Sequence, residues 1–178
     1  VPVVPQIIMK SMKEFEYLTG IVEEKGYNRI DLNMGCPFPM QAKHGRGSGL
    51  LANLAVIEEI AKAVSGKKNI RFSVKMRLGW ENKDEWKPVL DILNTIPLHQ
   101  ITLHPRIGTE QYKGETDMNV FEEFYTRCNH PLVYNGDVTS IDKIHSIEKR
   151  FPNLAGIMVG RGLLARPSLA MEYMTGEE

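Results

Sequence analysis

The sequence predicts an α/β fold, a (β/α)8 TIM barrel of which about six βα units are present. Two observations predict it. Short apolar, β-branched runs alternate with longer segments of helical period, the pattern of parallel βαβ units. Polar or charged side chains recur at the carboxyl end of nearly every run. In a barrel such ends converge on one mouth, whereas a doubly wound open sheet concentrates them at a single switch point.

In chain order, the strand candidates are VVPQIIM (3 to 9), RIDLNM (29 to 34), RFSVKMR (71 to 77), QITLHP (100 to 105), PLVYNGD (131 to 137) and AGIMVGR (155 to 161). The first helix shows Phe15, Leu18 and Val22 on one stripe, and its start carries Ser11 with Glu14 three residues on, a capping box. The second repeats the spacing at Leu54, Ile57, Ile60, Ala61 and Val64. Further helices are expected near 84 to 94, 118 to 128, 140 to 150 and 162 to 173, the third of these opening at Ser140 without a capping acid. No composition break or long linker divides the chain, so residues 1 to 178 read as a single domain.

Composition narrows the function. Lysine plus arginine and aspartate plus glutamate both total 22, so the net charge is zero and a polyanion would have to be held by a local patch. Cys36 and Cys128 form no C-x-x-C pair, which fits a reducing compartment, and the cytoplasm is the expected location. No apolar run approaches the roughly 20 residues that span a bilayer, and no membrane partner is expected. Cys36 and His44 lack a second ligand pair and no H-E-x-x-H occurs, so no metal is expected. Neither a Walker loop nor G-x-S-x-G is present.

The strand ends present Gln6, then Asn33 and Cys36, Lys75 and Arg77, His104 and Arg106, Asn135 and Asp137, and finally Gly160 and Arg161. Each has an ordinary reading as well: Lys75 and Arg77 as charges on a half-buried strand, His104 as a satisfied core histidine, Asn135-Gly136-Asp137 as a turn. The NGDV and VGRGLL segments each follow a strand and open a helix, with glycines where backbone N–H groups can approach an anion, and in barrels the last two loops commonly seat phosphate. A phosphate-bearing cofactor fits this pattern better than a bare metal. An ordinary cysteine thiol is mostly protonated at neutral pH and can serve as a proton donor. Around Cys36, Gly35 and Pro37 fix the backbone, and Gly45, Gly47 and Gly49 suggest a loop mobile enough to close over substrate, with Lys43, His44 and Arg46 drawing an anion.

Five ordered segments carry a family resemblance: NMGCP (33 to 37) followed by a glycine-rich loop ending GLL (49 to 51), VKMRLGW (74 to 80), LHPRIGTEQYKG (103 to 114), YNGDV (134 to 138) and MVGRGLLARP (158 to 167). Through nearly its whole length the chain resembles the tRNA-dihydrouridine synthases, flavin-dependent enzymes on a (β/α)8 barrel. The resemblance implies reduction of uridine in tRNA to 5,6-dihydrouridine, with NADPH reducing FMN and Cys36 as the general acid that protonates C5 of the uracil. It implies cofactor contacts from Gln6, Lys75 and His104 around the ring, and from Asn135, Gly136, Asp137, Gly160 and Arg161 at the ribityl-phosphate end. Asn33 would orient the uracil, and Arg106, Lys43 and Arg46 would meet the substrate tRNA.

The chain also departs from the family pattern. Pro39 and Met40 stand where many relatives carry a basic residue, and Ile107 where threonine is usual. The family's first two βα units and its C-terminal helical domain are expected to lie outside these residues. Six strands of an eight-stranded barrel leave two open edges, so the isolated chain, expected as a monomer, should bind FMN weakly or not at all. Two other readings stand beside the first: an FMN-dependent dehydrogenase of a free pyrimidine, as with dihydroorotate, and a catalytically silent RNA-binding remnant. The H-P-R and Q-Y-K-G segments favour tRNA.

Overall fold

A computed structural model describes residues 3–176. Six parallel strands form one sheet: β1 (Gln6–Ile7), β2 (Arg29–Met34), β3 (Arg71–Gly79), β4 (Gln100–Ile107), β5 (Leu132–Asn135) and β6 (Gly156–Met158). They lie in strict chain order, each hydrogen-bonded to the next. A doubly wound sheet would reverse that order at a switch point, whereas a barrel wall keeps it. The helices are α1 (Met12–Glu24), α2 (Pro39–Ala42), α3 (Leu54–Gly66), α4 (Trp86–Leu93), α5 (Met118–Arg127), α6 (Ile141–Arg150), α7 (Arg161–Ala165) and α8 (Leu169–Thr175), with a 3-10 turn at Gly47–Ala52.

The two faces of the sheet follow from alternation along the strands. Ile30, Leu32 and Met34, then Phe72, Val74 and Met76, then Ile101 and Leu103, are buried in the core shared with the helices. Phe15 of α1 meets Phe72 of β3 at 5.8 Å between ring centres, and Phe121 of α5 meets Tyr134 of β5 edge-on at 4.9 Å. The alternate positions, among them Asn33, Lys75, Arg77, His104 and Asn135, line a cavity instead.

Several boundaries differ from the sequence reading. The first strand shrinks to two residues, because Pro5 has no N–H to give to a ladder, although its carbonyl accepts from Asp31 N at 2.9 Å. The last helix divides into α7 and α8, with Pro167 in the gap. Strands β5 and β6 stop at Asn135 and Met158, which leaves Gly136, Asp137, Gly160 and Arg161 beyond the strand ends. The glycine-rich segment is more structured than expected, holding both α2 and the 3-10 turn. Among the described residues, no helix is long and apolar enough to cross a membrane.

Candidate active site

The carboxyl ends of the strands enclose a cavity of about 700 Å3. Its first side is organised by Asp31, whose carboxylate accepts from Gln6 Nε2 and Ser73 Oγ, each at 2.6 Å. Gln6 Oε1 in turn accepts from Asn33 Nδ2 at 2.8 Å, and Asn33 Oδ1 accepts from the backbone N–H groups of Gly35 and Cys36 at 3.1 and 2.9 Å. A relay of side chains thus fixes the turn that carries Cys36. The Cys36 carbonyl is held from the other direction by Ser48, through its N–H at 3.1 Å and its hydroxyl at 3.0 Å.

Of the three glycines after Cys36, Gly47 and Gly49 allow close packing, whereas a Cβ at Gly45 would meet only an ordinary contact. Gly47 has φ +57°, and a Cβ there would lie 2.6 Å from the Cys36 carbonyl oxygen. At Gly49 a Cβ would meet the Ala42 oxygen at 2.0 Å. Cys36 remains a free, half-buried thiol against the cavity, beside Pro37.

Lys75, from β3, enters the same cavity. Among the described residues no hydrogen bond or ion pair reaches its ammonium, and burial first, then the Arg77 charge, pushes its pKa below the usual lysine value. Arg77, two residues on, is pushed down to about 10, chiefly by burial. Its Nη1 donates to the Ile107 carbonyl at 2.9 Å, and its guanidinium lies 5.4 Å from the Tyr112 ring centre.

On the far side, Arg106 is 1% exposed, and both its terminal nitrogens are claimed by the chain while its buried Nε has no partner among the described residues. It pairs with both Asp137 oxygens and donates to the Gly114 carbonyl. A guanidinium can only donate, so the 3.1 Å contact to His104 Nε2 makes that nitrogen the acceptor and leaves the ring proton on Nδ1. Desolvation, with the charges of Arg77, Lys75 and Arg106, lowers the His104 pKa to about 3, which agrees with a neutral imidazole. Asp137 also accepts from Arg161 Nη2 at 2.9 Å, and its carboxyl is held below the usual range, chiefly by the hydrogen bond from Arg106. Asp137 sits at φ 46°, a region few residues with side chains adopt, and the two arginines fasten it there. Arg161 lies over Tyr112 at 4.2 Å. Asn135 Nδ2 donates to the Met158 carbonyl at 2.8 Å and ties β5 to β6 above the sheet.

Ten of the expected residues therefore line one cavity: Gln6, Asn33, Cys36, Lys75, His104, Asn135, Gly136, Asp137, Gly160 and Arg161. Three stand apart. Arg106 is spent behind the wall, Lys43 is exposed, and Arg46 is tied to Glu14 of α1 by an ion pair that includes a 3.2 Å bond from Nε. Glu14 also accepts from Lys10 N at 3.0 Å, so its carboxylate clamps the loop to α1, while its own N–H donates to Ser11 Oγ at 3.3 Å and forms the N-cap half of the expected box. Tyr112 and Asp31 complete the site and were not singled out from the sequence, and Arg77, read there at a strand end, was given no role in it. Arg77 repeats the parity of Lys75, and Tyr112 lies within the Q-Y-K-G segment, so both carried a signal. Among the described residues no group of three histidine, cysteine or acidic side chains could hold a metal ion.

Comparison with known proteins adds to this geometry. The family described as Dihydrouridine synthase (Dus) matches residues 1–178. Among curated proteins, the chain is 34% identical over 140 residues to a probable tRNA-dihydrouridine synthase of Helicobacter pylori (strain J99 / ATCC 700824), an alignment covering 78% of this chain and 42% of the relative. It is 29% identical over 171 residues to probable tRNA-dihydrouridine synthase 2 of Bacillus subtilis (strain 168), covering 93% and 52%. The chain thus spans about half the length of the curated relatives it matches. Among solved structures, a probable mandelate racemase from Alicyclobacillus acidocaldarius superposes with TM-score 0.64 at 16% identity, over 99% of this chain and 39% of that one. Histamine dehydrogenase from Rhizobium sp. 4-9 gives 0.62 at 15%, over 94% and 28%. These two speak to the fold alone, and with the sheet order they place the chain as part of a (β/α)8 barrel.

Proposed function

The chain belongs to the dihydrouridine synthase family, which it matches over residues 1–178, and on that footing we propose that it reduces uridine in tRNA to 5,6-dihydrouridine, with FMN in the cavity, NADPH as reductant and Cys36 as general acid. One observation carries the reading: a single cavity of about 700 Å3 brings Cys36, Lys75 and Arg161 together. That volume lies within the range of small-molecule and cofactor sites. The donor set suits FMN, because Lys75 is a desolvated cation without a partner and Arg161 keeps a half-exposed guanidinium at the opposite end. The space beside Gly160 is open, since a Cβ there would meet nothing within 4 Å.

Gln6, Lys75 and His104 would hold the ring, Asn135, Gly136, Gly160 and Arg161 the ribityl-phosphate end, and Asn33 would orient the uracil. FMN held there would, once reduced by NADPH, supply the hydride for C6 of the uracil. Lys75 contributes positive charge where negative charge accumulates. Cys36 supplies the proton that C5 takes up, and solvent restores the thiol, so hydride and proton together saturate the 5,6 double bond. The relay from Asp31 through Gln6 and Asn33 keeps the Cys36 turn in position. Asp137, a carboxylate, would repel a phosphate directly. Its part is to brace Arg161.

The test is a single-turnover experiment on full-length protein: reduction of bound flavin by NADPH, then its anaerobic reoxidation by unmodified tRNA. Cys36→Ala should leave flavin reduction intact and slow the tRNA-dependent step by about 100-fold or more, the scale of general-acid catalysis. Reoxidation at the wild-type rate would remove Cys36 from the acid role. Reoxidation by free uridine as fast as by tRNA would move the substrate to a free pyrimidine.

A further inference from the structure

The opposite end of the sheet gathers positive charge that the chain does not answer. Arg29 and Arg71 open β2 and β3 and are Cα partners in the register. Like charges directly opposite one another on neighbouring strands are destabilising. Among the described residues, no hydrogen bond or ion pair reaches the side chain of either arginine or of Lys68. Asp31, two positions along β2 from Arg29, is occupied by Gln6 and Ser73. Glu23 is occupied by Lys67, at 2.7 Å. His99, just before β4, is affected by the same field: desolvation, then Arg29 and Arg71, lower its pKa, with no acid opposing them.

A cavity of about 400 Å3 opens beside these residues. Lys68, Arg71, His99 and Ser65 supply its polar lining, and Val64 and Leu98 an apolar wall. The C-terminal end of α3 lies alongside, and the Val64 carbonyl there is capped by the Lys67 N–H. We propose that this end of the sheet is a binding site for a small phosphate-bearing anion, with Arg71, Lys68 and His99 as its contacts and Arg29 as supporting charge. Arg71 offers a planar fork suited to two phosphate oxygens, and Lys68 a mobile point charge. The apolar wall gives a ring carried by the phosphate a surface to lie on. An anion bound here would also relieve the repulsion between the paired arginines. The site is remote from the cavity that holds Cys36 and stands independently of the reaction assigned there.

The His99 ring provides a local reporter, assigned with His99→Gln. Full-length protein is titrated with inorganic phosphate, with AMP, and with chloride at matched ionic strength, while the ring resonances are followed by NMR. The expected result is a saturable shift of His99 with phosphate or AMP and none with chloride. Arg71→Gln should weaken binding about tenfold, and Lys75→Met, at the other end of the sheet, should leave it unchanged. Because Arg71→Gln removes one of two facing like charges, it should not impair folding. AMP binding more tightly than phosphate would show that the cavity takes the nucleoside as well, and equal affinities that phosphate alone is recognised. A His99 shift that chloride reproduces, or an Arg71→Gln protein that titrates like wild type, would overturn the site.

Discussion

Lys75 and Arg106 stand on neighbouring strands, and the chain treats their charges in opposite ways. Both terminal nitrogens of Arg106 are answered within the protein by Asp137, the Gly114 carbonyl and His104, and only the Nε of that guanidinium lacks a partner among the described residues. Lys75 is desolvated and pushed by Arg77, and no acceptor in the described residues reaches it. The first arrangement holds a wall together. The second leaves positive charge directed into a cavity, a cost to the empty protein that an electron-rich or anionic ligand would offset. The difference separates residues that build the site from residues that await its occupant.

That contrast can be broken by mutation, most severely at Asp137. Asp137→Ala strands a buried guanidinium, and urea denaturation should show a loss of about 3 kcal/mol, the low end for a broken buried pair because Asp137 itself is partly exposed. A loss near zero would mean that solvent reaches Arg106 and that the wall is not held by this pair.

Protonation tests the seam between the two sides. The folded-state pKa of His104 is lowered from 6.5 to about 3, so between those values the unfolded chain takes up the proton and the native protein does not. The stabilisation is present above about pH 6.5 and is lost as the pH falls through that window. Replacing His104 with Asn should therefore remove about 2 kcal/mol of the stability difference between pH 7 and pH 5. Asp137, held below the usual carboxylate value of 3.8, is ionised in both the folded and unfolded states between pH 7 and pH 5 and does not contribute to this difference. An unchanged pH slope in the variant would place the imidazole in solvent.

The Lys75 side of the comparison predicts a change of opposite sign. Lys75→Met relieves an unpaired, desolvated cation, so the ligand-free protein should gain up to about 1 kcal/mol in the same denaturation assay. A clear loss would reveal a structural partner. The smallest effect belongs to Glu14→Gln, which frees Arg46 from a partly exposed ion pair and should cost less than about 1 kcal/mol. An accompanying rise in tRNA affinity would show that Arg46 reaches RNA when released.

Local pattern reveals the strands well and the pairings between them poorly. All six strands are legible as β-branched runs, and their order follows from βα alternation. Cys36 is marked by its glycine and proline neighbours. Which of Arg77 and Arg106 faces the cavity is another matter, because each follows a polar strand residue at the same spacing. The answer depends on Asp137, which lies 31 residues beyond Arg106 and whose backbone adopts φ 46°. Arg46 is similar: its partner Glu14 precedes it by 32 residues, and a basic loop residue that reads as an RNA contact is tied to a helix. The glycines at 47 and 49 look like flexibility and turn out to permit close packing on Cys36 and Ala42. Such long-range pairings leave no periodic trace.

The account rests most directly on the claim that the unanswered charge of Lys75 is completed by a flavin. Equilibrium titration of FMN into flavin-free, full-length protein, followed by quenching of flavin fluorescence, measures this for wild type and Lys75→Met side by side. The account predicts saturable binding in wild type and at least about tenfold weaker binding in Lys75→Met, the loss of one charge-assisted contact. Equal affinity in the two proteins would contradict it.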